Sequence, residues 1–258
     1  LDIDIKKIEA ILPEILNDPG IIFYEKTGNY YHREVFEYEQ GIANSIVEML
    51  KSGPRMSREK AEDLASRHLK MAGFKKDQSQ FDAIVDALMF PYNVLTGGPG
   101  TGKSTVQNVF VRCLKELNET LSASCPTGQG AKRLSEASNA DASTVHRQLL
   151  FNPETDEFRY NAENPLPFDR VATDEISMLD VWLGYNQFAA ISPKTALCHI
   201  GDLHQLASVG AGQLLRDVIM SRLVTVSRLQ KTHRQAGEYG IPVVASSILK
   251  WERQLKEG

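Results

Sequence analysis

Residues 94–105 read Val94-Leu95-Thr96-Gly97-Gly98-Pro99-Gly100-Thr101-Gly102-Lys103-Ser104-Thr105. An apolar lead-in runs into a glycine-rich turn, and the turn closes on Lys-Ser-Thr. The spacing satisfies G-x-x-x-x-G-K-[ST], with Gly97, Gly102, Lys103 and Ser104 at the fixed places. Glycines let the backbone wrap closely around phosphate oxygens, with N–H groups pointing inward at a helix start. Lys103 offers a mobile cation to the outer phosphates, and Ser104 offers a hydroxyl to Mg²⁺. Beyond the loop, Val106, Val109, Phe110, Leu114 and Leu117 recur at helical spacing, which predicts a helix over Lys103–Leu117. Asn93–Thr96 predicts the strand that enters the loop. Gly98, Pro99, Gly100, Thr101, Gly102, Lys103, Ser104 and Thr105 are therefore the expected nucleotide cradle.

Working outward, strand-like and helical runs alternate. Strands are predicted at Leu121–Cys125, Val171–Thr173 and Ala196–Ile200, and a helix over Gly128–Glu136. This rhythm belongs to a parallel sheet covered by helices, so the fold class is α/β, a P-loop NTPase sheet flanked by helices. Val171-Ala172-Thr173-Asp174-Glu175 sets two acids at a strand end. Asp174 is the candidate metal acid, and Glu175 the candidate base for an attacking water. Gln205, after the strand Ala196–Ile200, is a neutral amide able to reach the γ-phosphate side of the site. Arg234 offers a planar guanidinium suited to a transferring phosphoryl group.

Toward the N-terminus the texture is different. Ile5–Leu16 reads as an amphipathic helix, Ile21–Tyr24 and Asn29–Tyr31 as a short hairpin, and Val35–Leu50 and Ser57–Ala72 as helices. The expected organisation is a small, mainly helical accessory domain over 1–73, followed by an ATPase domain over 74–258 with a hairpin inserted near 148–162.

The chain has 258 residues, 42% of them hydrophobic and 24% charged. That composition is globular and excludes collagen-like, coiled-coil and fully disordered chains. The first residues lack the basic start and apolar block of a signal peptide. Three cysteines without CxxC spacing imply reduced thiols and no metal centre, and the expected location is cytoplasmic. The formal net charge is −4. An acidic whole argues mildly against a nucleic-acid binder, although a local groove can still be basic.

Six motifs occur in an order that resembles RecD-like DNA helicases of superfamily 1. They are Gly97–Thr105, Cys125–Arg133, Ser143–Arg147, Asp174–Met178, Gly201–Gly210 and Arg234-Gln235-Ala236. The resemblance covers about Lys76 to Ile248. It implies a RecA-like motor domain that uses ATP and Mg²⁺ and moves 5′→3′ on single-stranded DNA. It assigns Gln80 to adenine recognition, Lys103 and Ser104 to phosphate and metal, and Asp174 and Glu175 to metal and base. Gln205 then couples the γ-phosphate to DNA, and Arg234 completes the charge stabilisation. Pro126, Thr127 and Gly128, with Thr144 and His146, match segments that touch the DNA backbone, where hydroxyls and N–H groups bind phosphates without long cations.

The hairpin near 148–162 matches a strand-separating pin, with Phe158 or Tyr160 expected to stack on a base. Ala207 and His233 depart from the family pattern without removing a catalytic group. No segment after Arg234 resembles the family's last two motifs, so the resemblance implies an N-terminal fragment whose second motor domain is missing. Partner subunits are unknown, and no membrane segment is expected. A small-molecule kinase is an alternative, but no arginine-rich lid or acceptor pocket is visible. A DNA-binding module with a vestigial nucleotide site is another, opposed by the intact Lys103, Ser104, Asp174 and Glu175.

Overall fold

The computed structural model describes residues 12–14, 16–74, 77–138 and 140–230. Most of the expected N-terminal helix Ile5–Leu16 and all of the segment containing Arg234 lie outside them. A hairpin of β1 (Ile21–Tyr24) and β2 (Asn29–His32) leads into α1 (Arg33–Lys51), α2 (Arg58–Met71) and α3 (Gln78–Met89). The alternating part follows as β3 (Tyr92–Gly97), α4 (Lys103–Leu117), β4 (Leu121–Cys125), α5 (Gly128–Ser138), β5 (Ala142–Thr144) and α6 (Val145–Gln148). A small hairpin of β6 (Phe151–Asn152) and β7 (Glu157–Phe158) precedes β8 (Arg170–Thr173). Then come α7 (Val181–Ala189), β9 (Ala196–Gly201), α8 (Leu214–Ser221) and β10 (Thr225–Leu229).

Six strands form one sheet in the order β10-β3-β9-β8-β4-β5, and every pairing within it is parallel. Central strands of such a sheet are covered on both faces. Accordingly every residue of β8 and β9 is buried. Alternate side chains divide between the two faces. Tyr92, Val94, Val171 and Leu197 pack with buried residues of α1, α7 and α8. Leu95, Cys198 and Ile200 pack with α2, α3 and α4. Helices α1 and α2, expected within a unit over 1–73, thus bury their apolar stripes on opposite faces of this sheet. Ile42, Ile46 and Met49 of α1 share a cluster with the strands, as do Leu64 and Leu69 of α2. Because all six strands run the same way, the loops after β3, β4, β8 and β9 meet along one edge, where ligands of open α/β sheets bind.

One core face contains a polar network. The Tyr92 hydroxyl and His199 Nδ1 are 3.0 Å apart, and His199 Nε2 is 3.1 Å from Gln187 Oε1. Gln187 Nε2 donates to Gln148 Oε1 at 3.0 Å and to Thr173 Oγ1 at 2.7 Å. A neutral imidazole that donates from Nε2 and accepts from Tyr92 at Nδ1 satisfies every member. Burial pushes the His199 pKa down to about 3.

The sign of the resulting pH dependence follows from that depression. Below its ordinary value of 6.5 the unfolded chain takes up a proton that the folded chain refuses. This contribution is complete above that pH and falls by about 1.4 kcal/mol per pH unit on acidification, until the folded imidazole itself titrates. Urea unfolding of wild type and His199→Gln between neutral and moderately acid pH checks it. Wild type is expected to lose its advantage over the variant as pH falls, and a constant gap would clear His199 of the effect.

Candidate nucleotide and nucleic-acid site

The loop after β3 is shaped by glycine. Gly100 and Gly102 have φ of +77° and +97°, in the left-handed region. A side chain at Gly102 is also excluded by packing, since its Cβ would lie 2.1 Å from Gln80 Nε2. Gln80 is buried on α3 and donates from Nε2 to the Thr101 carbonyl at 3.2 Å. The amide assigned to adenine therefore braces the loop from beneath. Thr101 Oγ1 ties the loop to itself by donating to Gly98 O at 2.9 Å.

Helix α4 begins at Lys103, no side chain caps its N-terminus, and its first turn holds no acid. Its leading N–H groups and positive dipole end therefore suit an anion. Ser104 is exposed at that first turn, next to half-buried Thr105, and Pro99 is exposed at the loop tip. The Lys103 ammonium donates to the carbonyls of Gly97 and Gly98. Burial lowers its pKa, and the charges of Asp202, Asp174 and Glu175 pull it back up. These groups fit a magnesium-bound triphosphate: uncapped helix donors, a partly desolvated cation, a hydroxyl and nearby carboxylates.

Asp174 and Glu175 follow β8 at the same edge. Gln107 Nε2 donates to Asp174 Oδ2 at 2.8 Å, and the Glu175 N–H to Asp174 Oδ1 at 2.7 Å. Burial raises the Asp174 pKa despite these donors and the Lys103 charge. A divalent cation opposite this carboxylate would favour its ionised form. Glu175 has φ of +55°, a left-handed conformation uncommon outside glycine. Its carboxylate lies against the β4–α5 turn: Cys125 Sγ and Thr127 Oγ1 each approach Oε2 at 3.3 Å, and Arg133 Nη2 lies 3.2 Å from Oε1. The segment Pro126–Gly128, expected to touch DNA, thus also touches the expected base.

Other expected residues are placed differently. Gln205 is exposed on the turn after β9, where its N–H donates to Asp202 O at 3.1 Å, and no described hydrogen bond joins its side chain to Lys103, Asp174 or Glu175. Thr144 caps α6 by accepting from the Arg147 N–H at 3.2 Å. His146 is half-buried, 5.5 Å from the Phe151 ring.

The inserted hairpin forms, but its aromatic residues face inward. Phe158 is only 7% exposed and packs against Phe151 and Trp182 at ring distances of 4.9 and 5.3 Å. The expected stacking of Phe158 on a base is corrected accordingly: burying this ring with its neighbours removes more apolar surface from water than a solvent-facing pin allows. Tyr160 is half-buried against the same cluster, and the exposed part of the hairpin is its polar turn from Asn152 to Glu157.

Sequence reasoning passed over Gln107, Asp202 and the thiol of Cys125. Gln107 carried a readable signal, since it lies four residues after Lys103 and so on the same helix face. Asp202 follows an apolar strand directly, as Asp174 does. Cys125 carried none, because its meaning depends on which strand lies beside β4.

Residues 80–211, a little over half of the chain, match the family model described as an AAA domain. The ATP-dependent RecD2 DNA helicase of Deinococcus radiodurans is 32% identical over 226 residues, covering 87% of this chain and 30% of that protein. The RecBCD enzyme subunit RecD of Haemophilus influenzae is 33% identical over 202 residues, covering 67% of this chain and 32% of that protein. Its counterpart from Mycolicibacterium smegmatis is 34% identical over 204 residues, covering 69% and 36%. The chain spans about a third of the length of these curated relatives. With its parallel six-stranded sheet and its P-loop at the strand ends, the chain belongs to the AAA domain family, in the RecD-like branch of superfamily 1 helicases.

Proposed function

We propose that this chain binds ATP with Mg²⁺, hydrolyses it, and couples hydrolysis to movement along single-stranded DNA. One observation carries the reading: Lys103 and Asp174 are 71 residues apart, yet Gln107, on the helix that Lys103 opens, donates to Asp174 Oδ2 at 2.8 Å, so the glycine-rich loop and the two acids meet at one sheet edge. A relative named as an ATP-dependent DNA helicase supports the coupling to DNA.

Lys103 and the N–H groups of α4 would hold the phosphates, and Ser104 with Asp174 would hold the metal, which supplies charge neutralisation for phosphoryl transfer. Gln107 keeps the Asp174 carboxylate oriented. Glu175 would take the proton of the attacking water. Gln205 would act toward the γ-phosphate, and Arg234 on transferring charge. Gln80 would reach the base only if its bond to Thr101 were exchanged. Thr127, Gly128, Thr144 and His146 would meet the DNA backbone through hydroxyl, N–H and imidazole groups, which reconciles DNA binding with a net charge of −4. No helix among the described residues is long and apolar enough to cross a membrane.

ATP hydrolysis measured with and without single-stranded DNA tests the proposal. We expect hydrolysis that rises on adding DNA and that falls by roughly a hundredfold or more in Lys103→Ala, which removes a preorganised cation from the phosphates. A rate indifferent to DNA would sink the coupling, and full activity of Lys103→Ala would sink the site.

A further inference from the structure

The donors around Glu175 do not come from the nucleotide loop. Cys125, Thr127 and Arg133 all lie within nine consecutive residues of the β4–α5 segment, and between them they occupy both carboxylate oxygens. The Thr127 hydroxyl accepts from the Gly130 N–H at 3.1 Å, which leaves its proton for Glu175. Burial raises the Cys125 pKa to about 12, so its thiol also keeps a proton to donate. The close fit has no slack at Gly130, where a Cβ would lie 2.2 Å from Cys125 Sγ and 2.6 Å from Glu175 Oε2. By contrast the Arg133 side chain is 64% exposed, although it pairs with a Glu175 side chain that is only 22% exposed.

A general base needs a free lone pair directed at its water. A carboxylate that accepts two hydrogen bonds and an ion pair has fewer lone pairs to offer and is held away from the water it must orient. We propose that Cys125, Thr127 and Arg133 form a clamp that restrains Glu175, and that a backbone phosphate of single-stranded DNA opens it. The phosphate competes for the Thr127 hydroxyl and the Arg133 guanidinium, both of which bind phosphate as readily as carboxylate. Once they turn to DNA, Glu175 keeps only the thiol contact and is free to orient the water. Hydrolysis is thereby tied to DNA occupancy by competition for the same donors. The three side chains are positioning residues in this scheme, acting through Glu175.

The inference rests on the proposed DNA-coupled hydrolysis, and its test separates the two. Steady-state hydrolysis is measured with and without oligo(dT) for wild type, Arg133→Ala, Arg133→Lys and Cys125→Ala, together with KM for ATP and oligo(dT) affinity. Arg133→Ala is expected to raise the DNA-free rate by roughly fivefold to tenfold, the net worth of one hydrogen bond for a solvent-screened pair, with KM for ATP unchanged. Arg133→Lys, which keeps a cation beside the carboxylate, restores most of the restraint. Cys125→Ala raises the DNA-free rate without changing oligo(dT) affinity, because the thiol faces Glu175 and not solvent. A wild type that DNA does not stimulate overturns the proposed function itself. A stimulated wild type whose DNA-free rate is unchanged or lowered in both Arg133→Ala and Cys125→Ala overturns the clamp and leaves the function standing.

Discussion

Glu175→Gln is expected to lose ATP hydrolysis by a factor of about 10² to 10⁴ while still binding nucleotide. The magnitude is that of a positioned general base. The separation of effects follows from where the side chain sits. The expected nucleotide cradle runs from Gly98 to Thr105, and none of the hydrogen bonds described for the Glu175 side chain goes to that loop. The amide keeps the shape of the carboxylate and can still accept from Cys125 or Thr127, so the fold is spared. It cannot take a proton at neutral pH. Binding of a fluorescent ATP analogue and single-turnover hydrolysis would together check the split. Wild-type turnover by the variant would remove Glu175 from its role, and loss of binding alone would mean that the acid had shaped the cradle.

Glu119→Ala is expected to destabilise the fold by about 3 kcal/mol or more, the cost of leaving a buried charge without its partner. Arg170, at the start of β8, is 1% exposed. Its guanidinium donates to the Ala87 and Leu88 carbonyls at 3.1 Å, and its Nε pairs with Glu119. Those carbonyls belong to the last turn of α3, so the arginine satisfies acceptors that have no partner within the helix. Glu119 supplies the paired charge, and its loss leaves Arg170 with two carbonyls and only the more distant Asp169 carboxylate, with Arg55 close enough to repel. Chemical unfolding gives the measurement. Glu119→Gln, which keeps an acceptor, should cost less than Glu119→Ala. Pairing Glu119→Ala with Arg170→Met should recover part of the loss: it removes the unpaired charge, but it also takes the donors from the Ala87 and Leu88 carbonyls. Equal stability of Glu119→Ala and wild type would contradict the account.

The arginine shows why some of the chain was easy to read and some was not. Arg170 directly precedes the strand predicted at Val171–Thr173, and nothing next to it in sequence accounts for a buried charge there. Its reason lies 83 residues away at the end of α3. The nucleotide loop needed no such distance. Its glycines, Lys103 and Ser104 are contiguous, and the strand before it and the helix after it announce themselves by hydrophobic spacing within a dozen residues. The strands at Leu121–Cys125 and Ala196–Ile200 were legible for the same reason. Phe158 was not, because an aromatic residue in a polar hairpin reads alike whether it faces a ligand or Trp182.

Local order along the chain was therefore enough for the element sequence, the parallel α/β class, the glycine-rich turn between strand and helix, and the two acids at a strand end. Each depends on side-chain periodicity or on a short contiguous motif, and both are complete before the chain folds back on itself. The strand order β10-β3-β9-β8-β4-β5 is not written that way, because parallel pairing joins strands across helical crossovers and their neighbours are chosen by packing on both faces. That order brings β4 beside β8, and so sets Cys125, Thr127 and Arg133 around a glutamate between 42 and 50 residues away. It also sends α1 and α2 to opposite faces of one sheet. The chemistry of each group was present in its residue type, but the contacts around Glu175 exist only where the sheet closes the distance.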